Sequence, residues 1–203
     1  MSIGATVRTV KLCDVEEIAK IHVACWKEVY SFMPDAVHLA RSLRYRRNQW
    51  LNWVIDPPEY GFFFVILFNG EIAGFAAALR NMDEAIIAKG EMHACYILPE
   101  YRGTDAGPLG LMTLASTLKS SGLWPACLWA FKDNPYRRIY PQLGCKAVVS
   151  RDRVIAEAPI PEVGYIVPDY DKLMSRLDRM RVSAVQRRNG SLQRPRLLAG
   201  LPG

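Results

Sequence analysis

The chain has 203 residues, 50% of them hydrophobic, and a formal net charge of +6, so it is long enough to bury one sizeable core. No apolar run reaches the length of a membrane span, and the N-terminus lacks the apolar segment and cleavage site of a signal peptide, which predicts a soluble cytoplasmic protein with no membrane partner. The five cysteines are widely spaced and form no C-x-x-C pair, so neither a disulfide framework nor a metal site is predicted.

The first elements in chain order are a strand and a helix. Alternating residues at 5–12 favour a strand. Asp14 followed by Glu17 gives a capping-box-like start to a helix that runs to about Tyr30. His22 falls on the apolar face of this helix, where a core histidine is expected more often than a ligand.

A second helical segment and a hairpin follow. The segment is basic and aromatic; it begins after Asp35 and stops before the Pro57-Pro58 break. The apolar runs FFFVILF and EIAGFAAAL then flank Asn69-Gly70, the dipeptide most typical of a tight β-hairpin. An antiparallel pair with a buried face is therefore expected.

The rest of the chain alternates strands and helices without an internal repeat. We predict a strand at 91–98, a helix at 108–121, a strand at 126–131, a short helix at 134–143, strands at 148–156 and 163–167, and a last helix at 169–180. This order predicts an α+β fold in which helices pack on a mostly antiparallel sheet.

The C-terminal segment carries the excess of positive charge. From Lys172 onward lie eight of the 26 basic residues and one of the 20 acidic residues, so the body is nearly neutral. Beyond about Arg181 the sequence has Gly, Pro and Arg without apolar periodicity, which predicts a disordered tail. Weak contact with nucleic acid remains an alternative, but a solvated tail is the commoner fate of such segments.

The segment RGTDAGPLG, residues 102–110, lies between a predicted strand and a predicted helix. An anion needs several backbone N–H groups that point one way, and a glycine-rich turn at a helix start supplies them together with the helix dipole. Taken alone, such a turn is a weak indication of a phosphate site.

Three stretches together resemble the GNAT acetyltransferase superfamily. GEMHACYILPEYRGTDAG resembles the superfamily's acetyl-CoA motif, in which a strand ending in Tyr-Val-x-Pro-x-Tyr leads to Arg/Gln-x-x-Gly-x-Gly/Ala. NPYRRIYPQLGC resembles its second motif, and IHVACWKEVYSFMPDAVHLA is similar to the N-terminal helices of a bacterial branch. The match covers roughly Val7 to Leu173, so residues 1–173 are predicted to form the GNAT domain, and residues 174–203 the helix end and the basic tail.

The resemblance implies a fold and an activity. The fold is the GNAT acyl-CoA N-acyltransferase fold, with a twisted, mixed and mostly antiparallel sheet flanked by helices. The activity is transfer of an acetyl group from acetyl-CoA, as co-substrate and without a metal, to a primary amine of a small molecule or protein, by direct attack in a ternary complex. Homodimers are common in the superfamily, and the sequence does not exclude one here.

The resemblance also assigns roles to residues. Glu91 matches the base of the histone-type members, and Tyr140 matches the tyrosine that protonates the coenzyme A thiolate; an edge carboxylate and a core tyrosine are the structural alternatives. Asn134 would hold the pantetheine arm, cap a helix, or do both. The other residues implied to bind the cofactor are those of the strand backbone, Cys95, Tyr96 and Ile97, and those around the pyrophosphate, Arg102, Gly103, Thr104, Asp105, Ala106 and Gly107.

Asp105 stands where the superfamily motif has its first glycine. Its carboxylate would either repel the pyrophosphate, at about 3 kcal/mol per charge pair near 5 Å, or cap the following helix. Arg137 and Arg138 on the second motif could supply compensating charge. A degenerate GNAT-fold binding or regulatory module with weak or no coenzyme A binding is therefore the alternative function, and Asp105→Gly is expected to tighten binding.

A covalent mechanism is a further alternative. Glu91, His93 and Cys95 alternate along one predicted strand and would share a face, which is the composition of a thiol nucleophile with its base. Side chains two apart on a strand stand roughly 7 Å from each other, too far for a thiol–imidazole hydrogen bond unless the strand bulges. His93 is therefore expected to line the acceptor pocket or face the sheet.

The acceptor pocket is expected against the first two helices and the last hairpin. Five aromatic residues could wall it, although core packing explains them equally well. They are Trp26, Tyr30, Trp50, Trp53 and Tyr165.

Overall fold

A computed structural model describes residues 4–192, which form a seven-stranded sheet with helices on both faces. The sheet has the order β1-β2-β3-β4-β5-β7-β6, and β4 and β5 are its parallel pair, whereas the other neighbours are antiparallel. The predicted α+β class and mostly antiparallel sheet are confirmed. The strands are β1 (Ala5–Thr9), β2 (Phe62–Phe68), β3 (Glu71–Arg80), β4 (Gly90–Ile97), β5 (Ala126–Phe131), β6 (Lys146–Ile155) and β7 (Ala158–Val167).

The helices divide between the two faces of the sheet. They are α1 (Val15–Val29), α2 (Asp35–Ala40), α3 (Leu43–Ile55), α4 (Ala106–Ser120), α5 (Ile139–Leu143) and α6 (Tyr170–Leu192). Helices α1 and α3 pack with Val65 and Phe75 on one face, and α4 and α6 pack with Ile66 and Ala76 on the other. Because successive strand residues point to opposite faces, two apolar cores result.

Two predicted helices differ from the observed ones. The second helical segment is two helices, separated before Ser42, whose hydroxyl accepts a hydrogen bond from the Tyr45 N–H and begins α3. The short helix predicted at 134–143 begins as a 3-10 turn, Pro135–Arg138, and continues as α5. A capping serine in the first case and a proline at the first turn in the second explain these local changes.

The C-terminal helix is longer than predicted. Helix α6 continues to Leu192, so the prediction of disorder beyond about Arg181 is wrong for residues 182–192, and the rest of the predicted tail lies outside the described residues. Ala184 is buried on this extension, and Arg187 and Arg188 bond to the turn before α4. These long-range contacts hold a segment helical whose local pattern indicates no helix. None of the helices within residues 4–192 combines the length and apolarity that a membrane span requires.

Candidate active site

The centre of the sheet opens between β4 and β5. The two strands pair only near the start of β4, at Gly90 and Glu91, whereas β3 stays paired with the other edge of β4 as far as Ile97. The Ile97 carbonyl accepts a hydrogen bond from Arg102 Nε at 3.0 Å and lies on the edge away from β3. Because backbone groups of residues i and i+2 point to the same edge of a strand, the Cys95 N–H also faces the gap.

A cleft of about 330 Å³ continues from this gap to the turn before α4. Most of the predicted cofactor residues line it, namely Cys95, Tyr96, Ile97, Arg102, Gly103, Thr104, Gly107 and Asn134, together with Tyr140. Asp105 and Ala106 do not. Burial raises the pKa of Tyr140, so its phenol is protonated at neutral pH.

The turn before α4 presents unused backbone donors. Gly103 adopts a positive φ of 77°, and no described group accepts a hydrogen bond from the N–H of Gly103, Asp105 or Gly107. The Thr104 hydroxyl instead accepts from the Ala106 N–H at 3.2 Å. Three open N–H groups at the start of a 15-residue helix fit an anion such as a pyrophosphate.

The Asp105 side chain neither caps α4 nor points at these N–H groups. Its carboxylate accepts a hydrogen bond from the Ala5 N–H at 3.2 Å and pairs with Arg188 Nη1 at 3.3 Å. The capping hypothesis is therefore wrong, and the charge that was expected to repel the cofactor is paired with α6. Arg187 Nη2 also donates to the Gly103 carbonyl, at 3.3 Å.

Of the two arginines expected to compensate for Asp105, Arg137 bonds elsewhere. Arg137 donates to the Lys132 carbonyl and to the Tyr165 hydroxyl, both at 2.9 Å. The cation that pairs with Asp105 comes from the segment predicted to be a tail. The excess of arginine there was the available signal, but it did not indicate where the segment folds.

Arg102 braces the end of β4 rather than standing free beside the turn. Its Nη2 lies 2.8 Å from Glu28 Oε2 on α1, and its Nη1 donates to the Tyr136 hydroxyl at 2.9 Å. The hydrogen bond from Arg102 holds the pKa of Glu28 below its usual value. A direct phosphate contact by Arg102 would therefore compete with Glu28.

Asn134 caps its helical turn, as one of its two interpretations required. Its Oδ1 accepts from the Tyr136 N–H at 2.9 Å, and its Nδ2 donates to the Tyr30 hydroxyl at 3.0 Å. Since Tyr30 lines both the cleft and the cavity described next, Asn134 fixes a side chain at their border.

A second cavity, of about 280 Å³, lies on the α1 and α3 side of β4. Trp26, Tyr30 and Trp50, three of the five aromatic residues considered for an acceptor pocket, line it, whereas Trp53 stacks on His93 and Tyr165 packs against Tyr140. Tyr30 and Tyr96 belong to both this cavity and the cleft. Three arginines that the sequence analysis did not assign to this pocket also line it: Arg41, Arg46 and Arg153. The first two lie in the basic second helical segment, and Arg153 lies on β6.

Glu91 and His93 meet at the wall of this second cavity. Glu91 Oε1 lies 2.8 Å from His93 Nδ1. The register opposite β3 passes from Met92 to Ala94, which leaves His93 as the extra residue of a β-bulge. Glu91 and His93 share a face as residues two apart on a strand, and their long side chains span the distance between them.

The same bulge overturns the covalent alternative. Past His93 the alternation is reversed, so Cys95 packs with the α4 core while Glu91 and His93 line the cavity on the opposite face. Burial raises the pKa of Cys95 to about 12, so its sulfur is a thiol rather than a thiolate at neutral pH. Within residues 4–192 no cluster of three or more metal-ligating side chains is found either.

Comparisons with known proteins point to one family. Residues 16–144 match the model of the acetyltransferase (GNAT) family. The chain is 30% identical over 178 residues to a Bacillus subtilis (strain 168) protein described as the uncharacterized N-acetyltransferase YuaI, a match that covers 86% of this chain and 99% of that one.

Two solved structures share the fold at low identity. PaiA N-acetyltransferase of Thermoplasma acidophilum, in complex with coenzyme A, aligns at a TM-score of 0.61 and 21% identity over 80% of this chain and 98% of its own. The protein yncA of Salmonella typhimurium, solved with its cofactor acetyl-CoA, aligns at 0.60 and 15% over 81% and 94%.

Proposed function

Because the chain belongs to the GNAT acetyltransferase family, we propose that it transfers the acetyl group of acetyl-CoA to a primary amine by direct attack within a ternary complex. The observation that carries the proposal is that two cavities adjoin at the centre of the sheet, where Tyr30 and Tyr96 line both. One extends from the open N–H groups of the α4 turn along the unpaired edge of β4, and the other holds Glu91.

The cofactor side would be bound chiefly by backbone. The N–H groups of Gly103, Asp105 and Gly107 would hold the pyrophosphate, and the free edge of β4 from Cys95 to Ile97 would hold the pantetheine arm. The Cys95 N–H would donate to the thioester carbonyl and stabilise the negative charge that develops on its oxygen. Acetyl-CoA would supply an activated acyl group, and no other cofactor is required for this chemistry.

Proton transfer would be divided between the two sides of the gap. Glu91, whose side chain is 16% exposed, would take the proton of the acceptor amine directly or through a water, and its hydrogen bond with His93 would orient the carboxylate. Tyr140, kept neutral by burial, would return a proton to the departing sulfur. Both roles rest on the position of each group relative to the gap.

The alternative of a degenerate binding module loses its main argument. It depended on an unpaired Asp105 carboxylate beside the pyrophosphate, and this carboxylate is paired with Arg188 and bonded to the Ala5 N–H. No other described feature of the cleft favours that alternative.

Isothermal titration tests the cofactor site. We expect acetyl-CoA to bind and acetyl-pantetheine, which lacks the pyrophosphate and the nucleotide, to bind at least about 100-fold more weakly, since several charge-assisted hydrogen bonds are lost. Absence of binding at millimolar acetyl-CoA would refute the proposal, and equal affinity for the two ligands would refute the role of the α4 turn.

A further inference from the structure

The cavity lined by Glu91 and His93, the acceptor-side cavity of the proposed function, is also lined by a buried arginine for which the described residues supply no anionic partner. Arg46 on α3 is 5% exposed, its Nη1 donates to Gln49 Oε1 at 2.8 Å, and its Nε has no hydrogen-bond partner among residues 4–192. No described carboxylate forms an ion pair with it, and its guanidinium lies on the rings of Trp26 and Tyr45. Burial lowers the pKa of Arg46 to about 10, so the group remains charged at neutral pH. A buried charge of this kind is costly unless something pairs with it.

The cavity is also lined by residues with unused N–H donors. Trp50 Nε1 donates to His22 Nδ1 at 3.0 Å, and burial lowers the pKa of His22 well below its usual value, so the proton of this neutral ring sits on Nε2. His22 Nε2 finds no acceptor among the described residues, nor do Trp26 Nε1, Trp129 Nε1 and Arg46 Nε. All four residues line this one cavity. Native proteins leave few buried donors unpaired, so four unpaired donors on residues around one cavity favour a ligand with hydrogen-bond acceptors.

Positive charge exceeds negative charge around the cavity. Arg41, Arg46 and Arg153 line it against one carboxylate, Glu91, which already bonds to His93. Arg153 pairs with Glu162 at 3.2 Å, whereas Arg41 stacks on Tyr45. The missing partner is therefore an acceptor with negative charge.

We propose that the acceptor is a small amine that also carries a carboxylate, the chemistry of an amino acid, with its carboxylate bound by Arg46 and its amine directed to Glu91. The inference rests on the proposed function and names the substrate class of that same site. A carboxylate only accepts hydrogen bonds, through two oxygens with about four lone-pair sites, and it matches the fork of a guanidinium. The cavity of 280 Å³ has the volume of roughly nine water molecules at ~30 Å³ each, which suits a molecule of this size.

Matched pairs of acceptors test the inference. Each of the common amino acids is offered with acetyl-CoA beside the amine that its decarboxylation would give, and release of free coenzyme A is followed. We expect at least one amino acid to exceed its decarboxylated partner by about 10- to 100-fold in kcat/KM, the range for a hydrogen bond to a charged group. Equal turnover of both partners, or turnover of amines alone, overturns the inference while the acetyltransferase function stands.

Variants of Arg46 test whether this residue causes the preference for the amino acid over the amine. Arg46→Met should remove the preference for the amino acid and leave the affinity for acetyl-CoA unchanged, and Arg46→Lys should keep part of the preference. Arg47→Met is the matched control, since Arg47 is exposed on the same helix and pairs with Glu16 on the surface. A preference that survives in a folded Arg46→Met protein overturns the role of Arg46.

If Arg46→Met does not fold, the paired substrates on the unmodified protein decide the question. Two other outcomes separate this inference from the function on which it rests. If the protein binds acetyl-CoA and no carboxylate-bearing amine reacts, the substrate class is wrong. Failure to bind acetyl-CoA would instead refute the proposed function itself.

Discussion

The cofactor cleft and the acceptor-side cavity differ in how their charged side chains are paired. Around the cleft, charged side chains pair with each other, Arg102 with Glu28 and Asp105 with Arg188, and the groups left open among the described residues are backbone N–H groups. In the cavity, the part of the chain that the structure describes gives Arg46 no carboxylate partner and leaves indole and imidazole N–H groups without acceptors. The proposed recognition by backbone would tolerate a change of side chain, so an aspartate can stand in the glycine-rich turn. Recognition by side chains does not tolerate such a change.

We expect the largest effect on turnover from Glu91→Gln, on the acceptor side. The amide cannot take the amine proton, so kcat is expected to fall by about 100-fold or more, while the affinity for acetyl-CoA stays unchanged. Steady-state kinetics and titration check the two halves of this expectation. Glu17→Gln, on the exposed face of α1, is the control, and full activity of Glu91→Gln would remove Glu91 from the mechanism.

Arg188→Met should break the pairing on the cofactor side. It leaves the Asp105 carboxylate, which is 9% exposed, without its cation, and the free energy of unfolding should fall by about 1–3 kcal/mol. Urea denaturation measures the loss. The double variant with Asp105→Asn should recover part of it, and additive effects of the two changes would show that the pair is not coupled.

Asp105→Gly should have the smallest effect and sharpens the contrast between the two sites. Since the carboxylate is directed at β1 and α6, its removal should change the affinity for acetyl-CoA by no more than about threefold, or ~0.6 kcal/mol. Titration of both proteins at the same ionic strength decides it. Binding at least tenfold tighter in the glycine variant would show that the Asp105 carboxylate repels the pyrophosphate, as the sequence alone suggested.

Local patterns predicted the strands, helices and turns of the fold, because those signals lie within short windows. The Asn69-Gly70 hairpin and the strand–turn–helix around 102–110 are examples. The bulge at His93 entered the sequence analysis only as an exception to a regular strand, because one extra residue leaves no mark in composition. It nonetheless decides which face Cys95 occupies.

Contacts between distant parts of the chain were not predictable in the same way. Asp105 and Arg188 are 83 residues apart, and no pattern near either residue indicates the other. The burial of Arg46 likewise depends on how α3 packs against α1 and the sheet. In the sequence, it is one arginine among several in a basic segment.

During synthesis, the turn before α4 acquires the cation that pairs with Asp105 only after Arg188 has been added. A ribosome that adds about 5–20 residues per second needs roughly 4–17 s to pass from one residue to the other, 83 positions later. Throughout that interval the nascent chain holds a carboxylate at the helix start without the cation that later neutralises it. A chain that stalls or is cut before Arg188 therefore keeps an unpaired charge beneath β1, in the part of the protein that was made first.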